Sequence, residues 1–170
     1  SLFNELTGSS QHVGNWPGVT VERKEGHRRT ATGLARVVDL PGTYSLTASS
    51  PDERVARDFI INGESDVVVA VVDASNLERN LYLVVQLIEL GTPLVMALNM
   101  SDVAEDRGFV VNVDKLSELL DVPVVPTCAH VGEGVESLWD TVVAEALEAR
   151  APRPLRYGRQ VDEAIETVRA

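Results

Sequence analysis

Two aliphatic runs, at residues 67–73 and 94–99, constrain the fold of this 170-residue chain more than any other feature. A strand with one wet face alternates polar and apolar residues. These runs do not alternate, which predicts strands covered on both faces. Between them, residues 76–90 read as a helix stopped by Gly91. Buried strands alternating with helices give a parallel α/β sheet. Ligands of such sheets bind at the carboxyl ends of the strands. Further strands are expected at 34–39 and 124–126, so Asp39, Asp73, Asn99 and Thr127 all fall at strand ends. Asp73 reads first as a turn former, with a ligand contact as the alternative.

The rest of the chain fits this pattern. Leu2, Phe3 and Leu6 share a helical face, and Gly8 stops that helix, within which the chain is expected to begin. Residues 9–18 read as a loop. Residues 19–23 alternate like a half-exposed strand, forming a hairpin with 34–39. Ser50, Pro51 and Glu53 predict a helix start to about residue 62: the Ser oxygen accepts from a free amide and Glu reaches back. Helices are expected at 114–120 and 135–149. Residues 150–157, with Pro152 and Pro154, read as a linker, and 159–170 as the start of another helix. The division is therefore 1–150 and 151–170.

Charge and composition remove several function classes. A net charge of −11 argues against a broad nucleic-acid surface. It leaves room for a nucleotide, which backbone amides and a metal hold locally. The longest aliphatic run is far below the ~20 residues that cross a bilayer, so the piece is expected to be soluble. The single cysteine, Cys128, forms no internal disulfide and reads as a reducing-compartment residue or a small buried filler. The three histidines and this cysteine have unrelated spacings, so no cluster of protein metal ligands is expected.

Four segments could carry chemistry. Gly18, Val19, Thr20, Val21 and Glu22 form a threonine-bearing stretch whose hydroxyl can reach a metal; the alternative is a β-branched residue opening a strand. Asp39, Leu40, Pro41 and Gly42 form an Asp-x-x-Gly turn. Its carboxylate can hold a metal-bound water, and its glycine amide can approach a phosphate, although ordinary strand-ending turns look the same. Asn99, Met100 and Asp102 form an Asn-x-x-Asp sequence. A carboxylate there accepts from guanine's ring N–H and amino group, a donor pair adenine lacks, and Met100 supplies apolar contact to the base. The alternative is a helix start after a strand. Thr127, Cys128, Ala129 and His130 form a small-residue turn whose amide can meet a guanine carbonyl. Trp16 reads as a packing anchor before a partner contact, and His12 as a loop residue.

The order and spacing of these segments, with the strings Asn-Trp-Pro-Gly-Val-Thr-Val-Glu at 15–22 and Asp-Ala-Ser-Asn-Leu-Glu-Arg-Asn at 73–80, resemble the G domain of the ferrous iron transport protein B family. The resemblance covers nearly the whole chain, and residues 154–170 resemble the beginning of the family's helical domain. It implies a Ras-like P-loop GTPase fold and slow hydrolysis of GTP to GDP with Mg²⁺. It also implies a place on the cytoplasmic side of an inner-membrane transporter of Fe²⁺, with the chain's own helical and transmembrane domains as partners and no nucleic acid. Gly18 to Glu22 would be the first switch and Asp39 to Gly42 the second. Thr20 and Asp39 would hold the metal, and Thr20 and Gly42 would act in catalysis. Asn99, Met100 and Asp102 would read guanine, with residues 127–130 closing over the base.

The family's Gly-x-x-x-x-Gly-Lys-[Ser/Thr] loop would end just before Ser1, and the central strand before it would lie between the strands ending at Asp39 and Asp73. Loss of that loop would remove most nucleotide affinity. Thr43 stands where many GTPases carry a water-orienting Gln. Two other function classes fit the same residues: a ribosome-assembly type GTPase, against which the acidic balance counts, and an interaction module that binds no nucleotide.

Overall fold

The computed structural model describes residues 1–8, 11–31, 33–47 and 50–169. The core is a three-stranded parallel sheet of β4 (Val68–Asp73), β5 (Leu94–Asn99) and β6 (Val124–Thr127), in that order. β5 lies in the middle and is covered on both sides. Leu94, Met96 and Leu98 pack with Val84, Leu87 and Ile88 of α3 (Leu77–Glu89). Val95 and Ala97 face the opposite layer, with Leu138, Trp139 and Val142 of α6 (Val135–Glu148). This two-sided burial is why the strand sequence does not alternate. The parallel sheet flanked by helices is the α/β architecture expected from the sequence.

The amino-terminal third forms a separate antiparallel sheet. β1 (Gln11–Asn15), β2 (Glu22–Thr30) and β3 (Gly33–Asp39) pair in that order. β3 and β4 share no ladder, but Ala35 and Val37 of β3 pack against the α6-side core. α1 (Leu2–Thr7) bridges the two parts: Leu2 and Leu6 join that same core while the helix lies on β2. Gly26 makes this crossing possible. A Cβ at that position would sit 2.5 Å from the Thr7 side chain.

Two expectations need correction here. Residues 11–15 form strand β1 rather than loop; a short, polar edge strand held by backbone pairing leaves little apolar pattern to read. The next strand begins at Glu22 and runs to Thr30, so Val19 and Thr20 belong to the β1–β2 turn. Charge pairs within the sheet offset β2's polarity: Arg23 and Arg36 both reach Glu25, the latter at 3.6 Å.

The helix at 51 appears as expected. In α2 (Pro51–Ile61), Ser50 accepts from the Glu53 amide at 3.2 Å and Glu53 returns to the Ser50 amide at 3.2 Å. α4 (Ser101–Asp106) is the helix start after a strand that the Asn-x-x-Asp residues offered as their alternative reading. α5 (Val113–Leu120) follows it. Beyond α6, residues 150–158 run without regular structure to α7 (Arg159–Arg169). Arg153 secures that stretch to Asp121 at 3.0 Å. Among the described residues no helix is long and apolar enough to cross a membrane.

Candidate functional site

The parallel register sets Asp73 beside Asn99 and Asn99 beside Thr127. Three polar residues therefore end adjacent strands on one side of the sheet. Asp73 acts as a turn former: its Oδ1 accepts from both the amide and the hydroxyl of Ser75 at 2.8 Å, capping the short 3-10 turn at 74–76. Asn99 has a wider reach. Its Oδ1 accepts from the Thr127 hydroxyl at 3.4 Å and the Ala129 amide at 3.2 Å, binding the end of β5 to the turn after β6.

That turn is fixed from below as well. The Cys128 amide donates to Glu133 at 3.0 Å, and the Val131 amide returns to Cys128 at 3.1 Å. Gly134, which caps α6 at φ 75°, lies so close to β6 that a Cβ there would come 2.1 Å from the Pro126 carbonyl oxygen. Sequence reasoning missed this residue; the signal was Gly132 and Gly134 just before a helix.

Asp102 and Met100 complete this corner. Met100 takes the left-handed conformation, φ 60°, between β5 and α4, with its side chain partly exposed. Asp102 sits in the first turn of α4. Its Oδ1 is sealed from solvent and has no partner in hydrogen-bond geometry. Its Oδ2 lies 3.7 Å from His130 Nε2. The Cys128 thiol beside the carboxyl is the main influence holding it below the usual carboxylate range, against desolvation and with help from the Val103 amide and His130. Burial and the Asp102 carboxylate push the Cys128 thiol up. Cys128, buried as a small filler should be, is 3.3 Å from His130 Nδ1. Asp102, Cys128 and His130 bring ligand atoms within 4.8 Å of one another, a grouping that the spacing of the histidines and cysteine did not suggest. Residues from two strand ends meet only in the fold, so linear spacing could not show it.

The other two segments meet at one end of the antiparallel sheet. β2 starts at Glu22, and its Lys24 is the register partner of Asp39, the last residue of β3. Gly18, Val19 and Thr20 rim a shallow concavity with Asn15, Trp16, Pro51 and Arg54. Trp16 anchors that turn. It is buried, meets Phe59 edge-on at 5.4 Å, and carries the Arg23 guanidinium 4.6 Å above its ring. Its amide holds the Val21 carbonyl at 2.9 Å. Lys24 pairs with Glu22 at 3.0 Å. Although Asp39 keeps exposed surface, desolvation raises its carboxyl, with Lys24 opposing and Glu22 reinforcing.

After Asp39, Leu40 packs into the α3-side core and Pro41 leads to Gly42, whose Cα faces open space. The Thr43 hydroxyl is used locally, donating to the Ser45 carbonyl at 2.6 Å. The Leu46 amide then donates to Gln86 of α3 at 2.7 Å. Among the described residues, no hydrogen bond or ion pair joins this end to the Asn99–Asp102–Cys128 corner. His12 is an exposed residue of β1.

Helices on both faces of a parallel sheet, with an Asn-x-x-Asp segment and a braced small-residue turn at neighbouring strand ends, define a GTPase-type α/β domain. The sequence profile described as Ferrous iron transport protein B matches residues 1–142. The chain is 54% identical over 142 residues to the Fe(2+) transporter FeoB of Escherichia coli K12, covering 81% of this chain and 18% of that protein. It superposes on the cytosolic domain of the T. maritima FeoB iron transporter in its GMPPNP form with a TM-score of 0.90 at 41% identity, covering 98% of this chain and 66% of the other. A mutant S. thermophilus NFeoB bound to GDP gives 0.89 at 45% identity, with 98% and 65% covered. The chain belongs to the ferrous iron transport protein B family, and spans less than a fifth of the length of the curated relatives it matches.

Proposed function

We propose that this chain binds guanine nucleotide and hydrolyses GTP as the cytosolic G domain of a ferrous-iron transporter. One observation carries the reading: the half-exposed Asp102 carboxylate at the start of α4, beside a turn that Asn99 has fixed in place. Guanine's ring N–H and amino group form a donor pair that this carboxylate can accept, and hydrogen bonds to a charged group are among the stronger ones. A backbone amide of the turn at 127–130 would donate to the guanine carbonyl, on a backbone that the Ala129–Asn99 bond holds in place. Met100, Thr127, Cys128 and His130 would border the base. Relatives crystallised with GMPPNP and GDP support the same ligand class.

Gly18 to Glu22 and Asp39 to Gly42 would serve as the switches that follow the third phosphate. The donors fit a hard cation: an exposed Thr20 hydroxyl and an Asp39 carboxylate lie at one end of the same sheet. Mg²⁺ held by them would neutralise phosphate charge. Thr20 would orient the phosphate end, and the open Cα of Gly42 would let its amide approach without a side chain intervening. Thr43, tied to Ser45, does not replace a water-orienting Gln. Residues 151–170 would be a linker and the first helix of a regulatory domain. Nucleotide state would then bias iron passage through the membrane part, with this domain on the cytoplasmic side of the inner membrane.

The test is a titration of the full-length protein, with Mg²⁺, using matched fluorescent GDP and ADP analogues. A preference for guanine of at least a hundredfold is expected. Equal affinities would overturn the reading.

A further inference from the structure

We propose that Asp102, Cys128 and His130 form a binding site for a borderline divalent transition-metal ion, and that this ion competes with guanine nucleotide for the same corner. The donor set is one thiolate, one imidazole and one carboxylate. That combination suits Zn²⁺, Co²⁺ or Fe²⁺ and does not suit the hard ion Mg²⁺.

The geometry is close to what such an ion requires. A tetrahedral ion with ordinary bond lengths sets its sulfur and nitrogen ligands ~3.6 Å apart and its nitrogen and oxygen ligands ~3.4 Å apart. Here Cys128 Sγ is 3.9 Å from His130 Nε2, and that nitrogen is 3.7 Å from Asp102 Oδ2. Closing a few tenths of an ångström needs only a turn of the exposed imidazole. Asn99 and Glu133 hold the backbone of the turn that carries two of the ligands. Three protein ligands leave a fourth position for water, the arrangement of an exchangeable rather than a purely structural site. On binding, the Cys128 thiol proton passes to solvent as the sulfur–metal bond forms.

Competition follows because one carboxylate has two uses. With Asp102 ligating a cation, its lone pairs no longer meet guanine's donor pair. With guanine bound, the third ligand is lost. The effect is reciprocal by linkage. This second half rests on the guanine reading above; the metal site does not.

Cys128 is the one cysteine of these 170 residues, and the part of a thiolate-to-metal signal that Cys128→Ser removes reports this site. Nucleotide-free full-length protein under a non-thiol reductant is titrated with Co²⁺, followed by its near-ultraviolet thiolate charge-transfer band, and then with Zn²⁺. Co²⁺ should produce the band, and Zn²⁺ should displace it. Cys128→Ser should remove one equivalent of it. His130→Gln, at an exposed side chain, should weaken Co²⁺ at least tenfold. Saturating GDP should weaken Co²⁺ at least tenfold as well. Absence of the band, or a band that Cys128→Ser leaves undiminished, overturns the metal site. A band that ignores bound GDP overturns the competition and keeps the site. Failure of GDP to bind overturns the guanine reading, while the band still decides the metal site.

Discussion

Asn99 Oδ1 accepts the backbone N–H of Ala129 at 3.2 Å, so the end of β5 carries the turn that follows β6. The same oxygen takes the hydroxyl of buried Thr127 at 3.4 Å. Asn99 thus acts on the site through the backbone of its neighbours as well as through its own amide. Asn99→Ala would leave two donors without their acceptor, at a cost of ~1–3 kcal/mol. The expected outcome is a urea midpoint lowered by a corresponding amount, with weaker guanine nucleotide binding. An unchanged midpoint would show that the turn does not depend on this side chain.

Gly134 supports the same turn from behind. Adding a methyl group there collides with the Pro126 carbonyl and occupies a positive φ that L-residues avoid. Gly134→Ala should destabilise the chain by about 2 kcal/mol or more. Chemical denaturation checks this. The change Gly42→Ala, where no atom lies within 4 Å, should cost little stability and act on hydrolysis alone.

Asp121 ties the segment after α6 to the body of the domain. Its carboxylate accepts the Arg153 amide and guanidinium, both at 3.0 Å, and Arg150 lies at 3.2 Å. The Arg153 contacts hold its carboxyl well below the usual carboxylate range, Arg150 adding less. A depressed folded-state pKa means that the stabilisation is fully present above the unfolded value of ~3.9 and is lost as pH falls through the folded value. Asp121→Asn keeps a residue tolerant of the left-handed φ of 55° and removes only the charge. At neutral pH the variant should be cut faster by trypsin after Arg150 and Arg156 than the parent. In hydrogen exchange near pH 2.5, below the ordinary carboxylate range, the two chains should draw together. A constant difference down to strong acid would contradict the assignment.

Much of this was legible in the sequence, for physical reasons that particular elements show. The unbroken run of β5 announced two-sided burial, whereas β4, with the same unbroken pattern, leaves Val71 exposed; the Ser50–Glu53 pair announced a helix start that the hydrogen bonds reproduce. The Asp-x-x-Gly and Asn-x-x-Asp residues do end strands β3 and β5. What escaped was carried by backbone or by tertiary approach. β1 pairs through main-chain groups and has no apolar signature. β2 hides as a strand because its charges are matched across the sheet. The left-handed turn at Met100 that leads into α4 is favoured by no propensity. The meeting of Asp102 with Cys128 and His130 depends on the parallel register of β5 and β6, which sequence spacing does not encode.

The central claim is that Asp102 reads the guanine edge. The most direct measurement is the ratio of xanthine to guanine nucleotide affinity in the full-length protein and its Asp102→Asn variant. An amide presents a donor where the carboxylate presented an acceptor, which suits the carbonyl that xanthine carries in place of the guanine amino group. The variant should lose GDP affinity at least tenfold and gain xanthosine diphosphate affinity, inverting the preference. GDP affinity left unchanged by Asp102→Asn would contradict the account.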